Sequence, residues 1–285
     1  MFDLDRWREI FQTLAKNKLR TALSGFTISF AILLFTLLFG VGNGLKHTFE
    51  EQFAGDAVNS VYVYSGRTTK PYKGLQSGRR IQFRNDDEDF MLSNFEEEIE
   101  HFSPTIQIGV RAIYKGEQDN YSLRGVYPDY QPLEKAEMID GRFISVLDVQ
   151  NKAKVIAIGR LVKKDLFGAK SAVGKYVDLN GLSYKVVGVF KDPGGDQDER
   201  YMYAPFSSVQ GIYKEYDEVD RFGFTFNPEL SVDKSIAFSN LLTKVLKEKH
   251  SVAPRDQGAI RVQNYAEGPR DVKPRLCPHC IRKPG

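Results

Sequence analysis

Residues 21–45 read TALSGFTISFAILLFTLLFGVGNGL, a run of 25 residues without a charge. Wound as an α-helix at about 1.5 Å per residue, it covers roughly 37 Å, enough for the ~30 Å hydrocarbon core of a bilayer with some tilt. It is apolar on all faces, which makes a buried helix of a soluble domain a poor reading. The run occurs once, near the start of the 285-residue chain, and the residues beyond it are polar enough to face water. The reading is a single transmembrane helix, residues 21–45, with a large extramembrane domain after it. A cleaved signal peptide is the competing reading. Its apolar region is usually about 7–15 residues and closes on a small-residue cleavage site, and here only Phe39-Gly40-Val41-Gly42-Asn43-Gly44 offers one.

The flanks set the orientation. Residues 1–20 carry Arg6, Arg8, Lys16, Lys18 and Arg20, whereas Lys46 and His47 are soon succeeded by Glu50 and Glu51. Excess Lys and Arg beside a first span marks the cytoplasmic side, so the N-terminus is expected inside and Lys46 onward outside. Leu4, Trp7, Ile10, Phe11 and Leu14 share a helical face, which suits an amphipathic helix over residues 1–20 on the inner leaflet. A plain extension of the membrane helix is the alternative.

The net charge of +3 belongs to the ends. Residues 1–20 and 269–285 are basic, and residues 21–268 hold 30 positive against 33 negative side chains. Nothing in that balance points to nucleic acid. Both cysteines, Cys277 and Cys280, lie in the last nine residues, so the outer domain must rely on its core and not on disulfides.

Beyond the span, the helix is expected to continue through Lys46–Phe53 as a stalk. Val61–Tyr64 reads as a strand, and 66–80, rich in Gly, Thr, Lys and Arg, as a mobile loop. Asn85 is the expected N-cap of a helix ending near Ile99, with Asp86, Asp87, Glu88 and Asp89 in a solvated first turn. Residues 105–126 alternate as two strands around a turn at Gly116–Asn120. Short helices are expected at Val146–Gln150 and Arg160–Phe167, the second stopped by Gly168. A buried strand is expected at Val155–Gly159. Tyr176–Leu179 and Tyr184–Phe190 flank Asn180-Gly181, a strong hairpin signal. Phe222–Phe226, the helix Ser231–Lys249 and a strand at Ala259–Val262 complete an α+β domain. The helix carries a stripe of Ile236, Phe238, Leu241, Leu242, Val245 and Leu246.

Catalytic equipment is not apparent. His47, His101, His250 and His279 are scattered. The stretch Gly168–Tyr176 has five residues between its glycines where a phosphate loop has four, and Tyr176 where a Ser or Thr must reach Mg²⁺. It reads as a turn. Asp192-Pro193-Gly194-Gly195-Asp196-Gln197-Asp198-Glu199 has carboxylates of the type that bind Ca²⁺ but not EF-hand spacing, and reads as a solvated hairpin loop. Cys277, His279 and Cys280 supply three potential ligands where a structural zinc site needs four. No catalytic, cofactor-binding or metal-ligating residue is assigned.

The order of these pieces carries a resemblance. Asp5-Arg6-Trp7 and Asn17-Lys18-Leu19-Arg20-Thr21 precede the span. Then come Gly141-Arg142-Phe143 with Asp148, Val155–Gly159, Leu166-Phe167-Gly168, Gly174-Lys175 and Val186-Val187-Gly188-Val189. The series resembles the MacB-type ABC transporter permeases of the FtsX-like superfamily over about residues 1–267. The resemblance implies an α+β periplasmic core domain of two subdomains over residues 46–267, with one span before it and three after it. It implies a bacterial inner-membrane location, dimerisation in a complete transporter, and a separate ABC ATPase subunit as partner. It also implies a periplasmic or outer-membrane partner, and work in export, lipoprotein release or force transmission, with no enzymatic activity in this chain. After Asn264-Tyr265-Ala266-Glu267 the family continues into a second span, but here residues 268–285 hold Pro269, Pro274, Pro278 and Pro284, which forbid a continuous helix. A disordered basic tail is expected, from a frameshift or early stop, or as a functional extension. The alternative function is a single-pass anchored binding or scaffold protein of the envelope.

Overall fold

In the computed structural model of the protein, residues 18–53, 59–227 and 232–265 are described. The expected amphipathic helix over 1–20 falls almost wholly outside them, and the tail 268–285 entirely so. The chain divides into two compact units, Met1–Gln52 and Phe53–Gly285.

The described part of the first unit is all in helix α1, Lys18–Phe53, which runs on past the apolar stretch as expected and ends at the first residue of the second unit. Its segment Lys18–Gly42 has a mean hydropathy of 2.2, is long and apolar enough to cross a membrane, and is exposed along its length. Thr27 Oγ1 donates to the Ser24 carbonyl at 2.9 Å, and the Thr36 hydroxyl to that of Ile32. Hydroxyls satisfied within their own helix do not burden a span. Phe26 stacks on Phe30 and Phe35 on Phe39, the contacts that i, i+4 spacing provides.

The second unit is built on one sheet. Its strands are β1 (Ser60–Ser65), β2 (Phe83–Arg84), β3 (Ile99–Tyr114), β4 (Glu117–Val126), β5 (Glu137–Gly141), β6 (Val155–Gly159), β7 (Tyr176–Leu179), β8 (Leu182–Lys191), β9 (Tyr201–Pro205), β10 (Glu218–Val219), β11 (Arg221–Phe226) and β12 (Ile260–Asn264). The main order is β12-β1-β11-β3-β4-β9-β6-β8-β5, with β7 beside β3 and β8, and β2 and β10 forming a separate pair. Strand β3 serves two sets of neighbours. Ile99–Thr105 pair with β11, and Ile106–Tyr114 pair with β4. Most pairs are antiparallel, while β4 with β9 and β6 with β8 are parallel.

Alternation along the strands sends side chains to two faces, and both are covered. Val61, Val63, Ile156, Ile158, Met202 and Ala204 join one apolar cluster, whereas Tyr62, Ala157 and Tyr203 join the other. The first face is covered by α2 (Asn85–Asn94), α5 (Arg160–Phe167), α6 (Phe206–Tyr213) and α7 (Val232–Lys249), which contribute Met91, Val162, Val209 and Leu242 among others. The second is covered by α3 (Tyr130–Glu134) through Tyr130 and Leu133, and by Phe143 and Ile144 ahead of α4 (Val146–Gln150).

Several expectations need correction. The β3–β4 turn is the two residues Lys115-Gly116, with φ of 49° and 96°, so the strands are longer than the alternation alone suggested. A two-residue turn with both φ positive matches the twist of the strands it joins. Asn180-Gly181, at φ 52° and 84°, forms the second such turn as expected. Helix α2 stops at Asn94, and its N-cap is Arg84, whose N–H donates to Asp87 Oδ2 at 3.0 Å. Asn85 instead accepts from Gln210 Nε2 at 2.9 Å. The loop 66–80 doubles back through bridges Arg67–Arg80 and Tyr72–Leu75. It is pinned by Asp256, whose carboxylate accepts from Thr69 N at 2.6 Å and Lys70 N at 3.1 Å.

Candidate functional site

The first and last described strands of this domain are neighbours. Strand β1 begins at Ser60, and β12 lies antiparallel to it, with Val61 opposite Asn264. Asn59 ties the entry to β11, donating from Nδ2 to the Phe226 carbonyl at 2.7 Å and accepting the Phe226 N–H at 3.1 Å. Asn264 ties the exit to α7, donating from Nδ2 to Ser239 Oγ at 3.1 Å and Ser235 Oγ at 3.3 Å. The Tyr265 ring meets that of Tyr62 edge-on at 5.7 Å.

From Tyr62 a buried polar cluster extends over the second face. Tyr62 Oη donates to Glu134 Oε1 at 3.0 Å, and the Arg221 guanidinium lies 5.4 Å from the Tyr62 ring centre. Tyr130, fully buried, accepts from Arg221 Nη2 at 2.7 Å and from Arg124 Nη1 at 3.1 Å. Arg124 also donates from Nε to Gln107 Oε1 at 3.1 Å and covers the Tyr201 ring at 3.5 Å. Strands β1, β11, β3, β4 and β9 and helix α3 are thereby joined through side chains as well as through the sheet. Burial pushes the Tyr130 hydroxyl above its ordinary range, although both guanidiniums pull the other way, so it stays neutral and serves as their acceptor. Sequence reading passed over these residues. The available signal was an arginine inside an apolar strand, Leu123-Arg124-Gly125-Val126 and Arg221-Phe222, since a buried arginine demands partners.

Two acidic stretches expected to be solvated are partly buried. Asp87 receives Lys249 Nζ at 2.6 Å and His250 Nε2 at 3.0 Å, which joins α2 to the end of α7. In the loop after β8, Asp192 and Glu199 are buried. Glu199 pairs with Arg160 at 2.7 Å, and Asp192 Oδ1 accepts from Gly194 N at 2.9 Å. The motif Gly141-Arg142-Phe143 with Asp148 is a structural unit. Arg142 grips Asp148 at 2.5 and 3.0 Å, and Ser145 and Asp148 form a capping box on α4. Burial would raise the Asp148 carboxyl, but Arg142 and Ser145 outweigh it and hold it below the ordinary range.

The phosphate-loop look-alike is a connection. Gly168 ends α5 at φ 58°, and Gly174 N donates to the Val186 carbonyl at 2.8 Å. A helix and not a strand leads into it. His101 lies 4.0 Å from Asp129 and His250 beside Asp87, in different parts of the fold. No group of three metal-ligating side chains occurs among the described residues. Cys277, His279 and Cys280 lie outside them.

A family model described as the MacB-like periplasmic core domain matches residues 21–237. The chain belongs to this family. Among curated relatives, "Macrolide export ATP-binding/permease protein MacB" of Bdellovibrio bacteriovorus is 26% identical over 262 residues, which is 90% of this chain and 40% of that protein. The protein of the same description from Chlorobaculum tepidum is 25% identical over 264 residues, 91% of this chain and 40% of that one. The chain thus spans about 40% of the length of these relatives. The crystal structure of the periplasmic region of MacB from Actinobacillus actinomycetemcomitans superposes with a TM-score of 0.61 at 19% identity, covering 75% of this chain and 92% of that one. The extracellular domain of the noncanonic ABC-type transporter YknZ from Gram-positive bacteria gives 0.58 at 18% identity, covering 72% and 100%. The second unit therefore has the MacB-like periplasmic core fold, with one long apolar helix ahead of it in the chain among the described residues.

Proposed function

We propose that this chain is a membrane-anchored permease component of a MacB-type ABC transporter. Helix α1 spans the membrane with its N-terminus in the cytoplasm, and the core domain lies outside. The observation that carries this reading is the pairing of β1 with β12, with Val61 opposite Asn264. In MacB-type permeases, with one span before this domain and three after it, adjacent first and last strands set the two ends of the domain side by side. Movement of one against the other then acts on the edge of the sheet. The buried cluster around Tyr130 supports the reading, because it stiffens the strands next to that edge. ATP hydrolysis is assigned to a separate ABC ATPase. The work coupled to that hydrolysis is export, lipoprotein release or force transmission in the envelope.

Topology tests the proposal. A cysteine at Lys115, exposed at the β3–β4 turn, is compared with one at Lys16, with Cys277 and Cys280 replaced by serine. An impermeant maleimide added to intact cells is expected to label position 115 and not position 16. Labelling at 16 alone would overturn the assignment.

A further inference from the structure

The loop 192–199 connects β8 to β9, and Phe190 and Tyr203 of those strands belong to the same cluster as Tyr130. Asp192 is buried, and its Oδ2 has no hydrogen-bond partner. The Tyr203 hydroxyl, equally buried, has none either. A Cβ built on Gly194 would meet both Asp198 Oδ2 and, at 3.1 Å, Asp192 Oδ1, so two carboxyls flank one glycine. The titratable and charged groups near enough to act on Asp192 electrostatically are Asp198 from the loop, Glu134 from α3, Arg124 from β4 and Tyr203 from β9. Arg221 of β11 acts on Asp198 and donates to Tyr130 of α3.

By formal charge, Arg124 and Arg221 balance Glu134 and Asp198. An ionised Asp192 adds a negative charge that nothing in the cluster compensates, on an oxygen cut off from water. A buried charge without a partner is far costlier than a neutral acid in the same place. We propose that Asp192 is a proton-operated latch: protonated, it lets the loop 192–199 close over the buried cluster, and ionised, it drives that loop open. Pro193, Gly194 and Gly195, the last at φ 100°, form the hinge. The Glu199–Arg160 pair keeps the far end of the loop attached. Burial, with Asp198 and Glu134 adding to it against the Gly194 N–H, pushes the Asp192 carboxyl up to about 7 from 3.8. The native state thus keeps a proton that the unfolded chain releases. The stability tied to that proton is complete below 3.8, falls as pH rises, and is lost above about 7.

The test uses the full chain in detergent and its Asp192→Asn variant, a neutral isostere of the protonated acid. Melting temperatures are compared from about pH 5 to about pH 8. The variant is expected to gain on the wild type as pH rises and to melt higher at the alkaline end. Hydrogen exchange of the Gly194 N–H should be similar in the two proteins near pH 5 and faster in the wild type near pH 8. Parallel melting profiles with a constant exchange ratio would overturn the latch. Should Asp192→Asn not fold, Asp198→Asn removes the neighbouring carboxyl. The carboxylic-acid C=O band of Asp192, monitored by infrared titration, is then expected to disappear at lower pH than in the wild type. An unmoved titration would refute the proposal.

Discussion

Asp87 and Glu88 are adjacent in the first turn of α2, yet their surroundings push them in opposite directions. Burial alone would raise both carboxyls. At Asp87 the bonds from His250 and Lys249 outweigh it and hold the group below 3.8. At Glu88 the Tyr127 hydroxyl does not, and the group rises to about 7. Asp87 joins segments about 160 residues apart in sequence, and its removal takes the carboxylate from His250 and from Lys249, which keeps the Asp86 carbonyl at 2.8 Å. Asp87→Ala is expected to cost about 3 kcal/mol near neutral pH by chemical unfolding. A carboxyl depressed in the native state contributes fully above its unfolded value of 3.8 and loses that contribution as pH falls through its native one. The gap between wild type and variant should therefore hold from neutral to mildly acidic pH and close in strong acid. Sequence reading placed this acidic run at a helix start but in water. Its partners lie at the far end of α7, and no local spacing announces them.

Helix α7 shows what periodicity can and cannot resolve. The apolar stripe read from the sequence is real, and Phe238, Leu242 and Leu246 are buried. Leu241 belongs to the same stripe by spacing but is 49% exposed, because it sits at the margin of the face laid against the sheet. Leu246→Ala is expected to cost about 2–5 kcal/mol through the cavity it leaves. Leu241→Ala should stay within about 0.5 kcal/mol. Urea midpoints with unchanged slopes would report both. Turns obey a similar rule. Asn180-Gly181 is legible because Asn and Gly tolerate positive φ, whereas Lys115 ahead of Gly116 carries no such mark. Strand β9 and helix α6 were not anticipated. In Tyr201–Pro205 the strand is covered on both faces, so alternation is erased, and Pro205 both ends it and caps the helix. Gly159 was legible as the end of an apolar strand. That an added Cβ there would overlap the Glu199 carbonyl was not, since Glu199 arrives from the loop after β8.

Across the core domain, β3 is the common member. One half of it pairs with β11 and the other with β4, so neither part of the sheet is complete without it. The sheet should therefore unfold as one cooperative unit. Fluorinated phenylalanine at Phe224 in β11 and at Phe190 in β8 reports on the two parts separately. Both signals are expected to lose their native shifts at the same denaturant concentration, and two separated transitions would show independent halves. The apolar helix, the α+β composition, most element positions and the family are legible in the linear chain. Those depend on local periodicity, turn chemistry and the order of short motifs, all of which survive in one dimension. Folding sets β1 and β12 side by side. It alone brought Arg124, Arg221, Tyr130, Glu134 and Asp192 together, and it turned solvated-looking carboxylates into buried ones. These juxtapositions arise from pairing between strands far apart in the chain. Burial and charge balance are properties of the neighbours that pairing supplies, and no single segment encodes them.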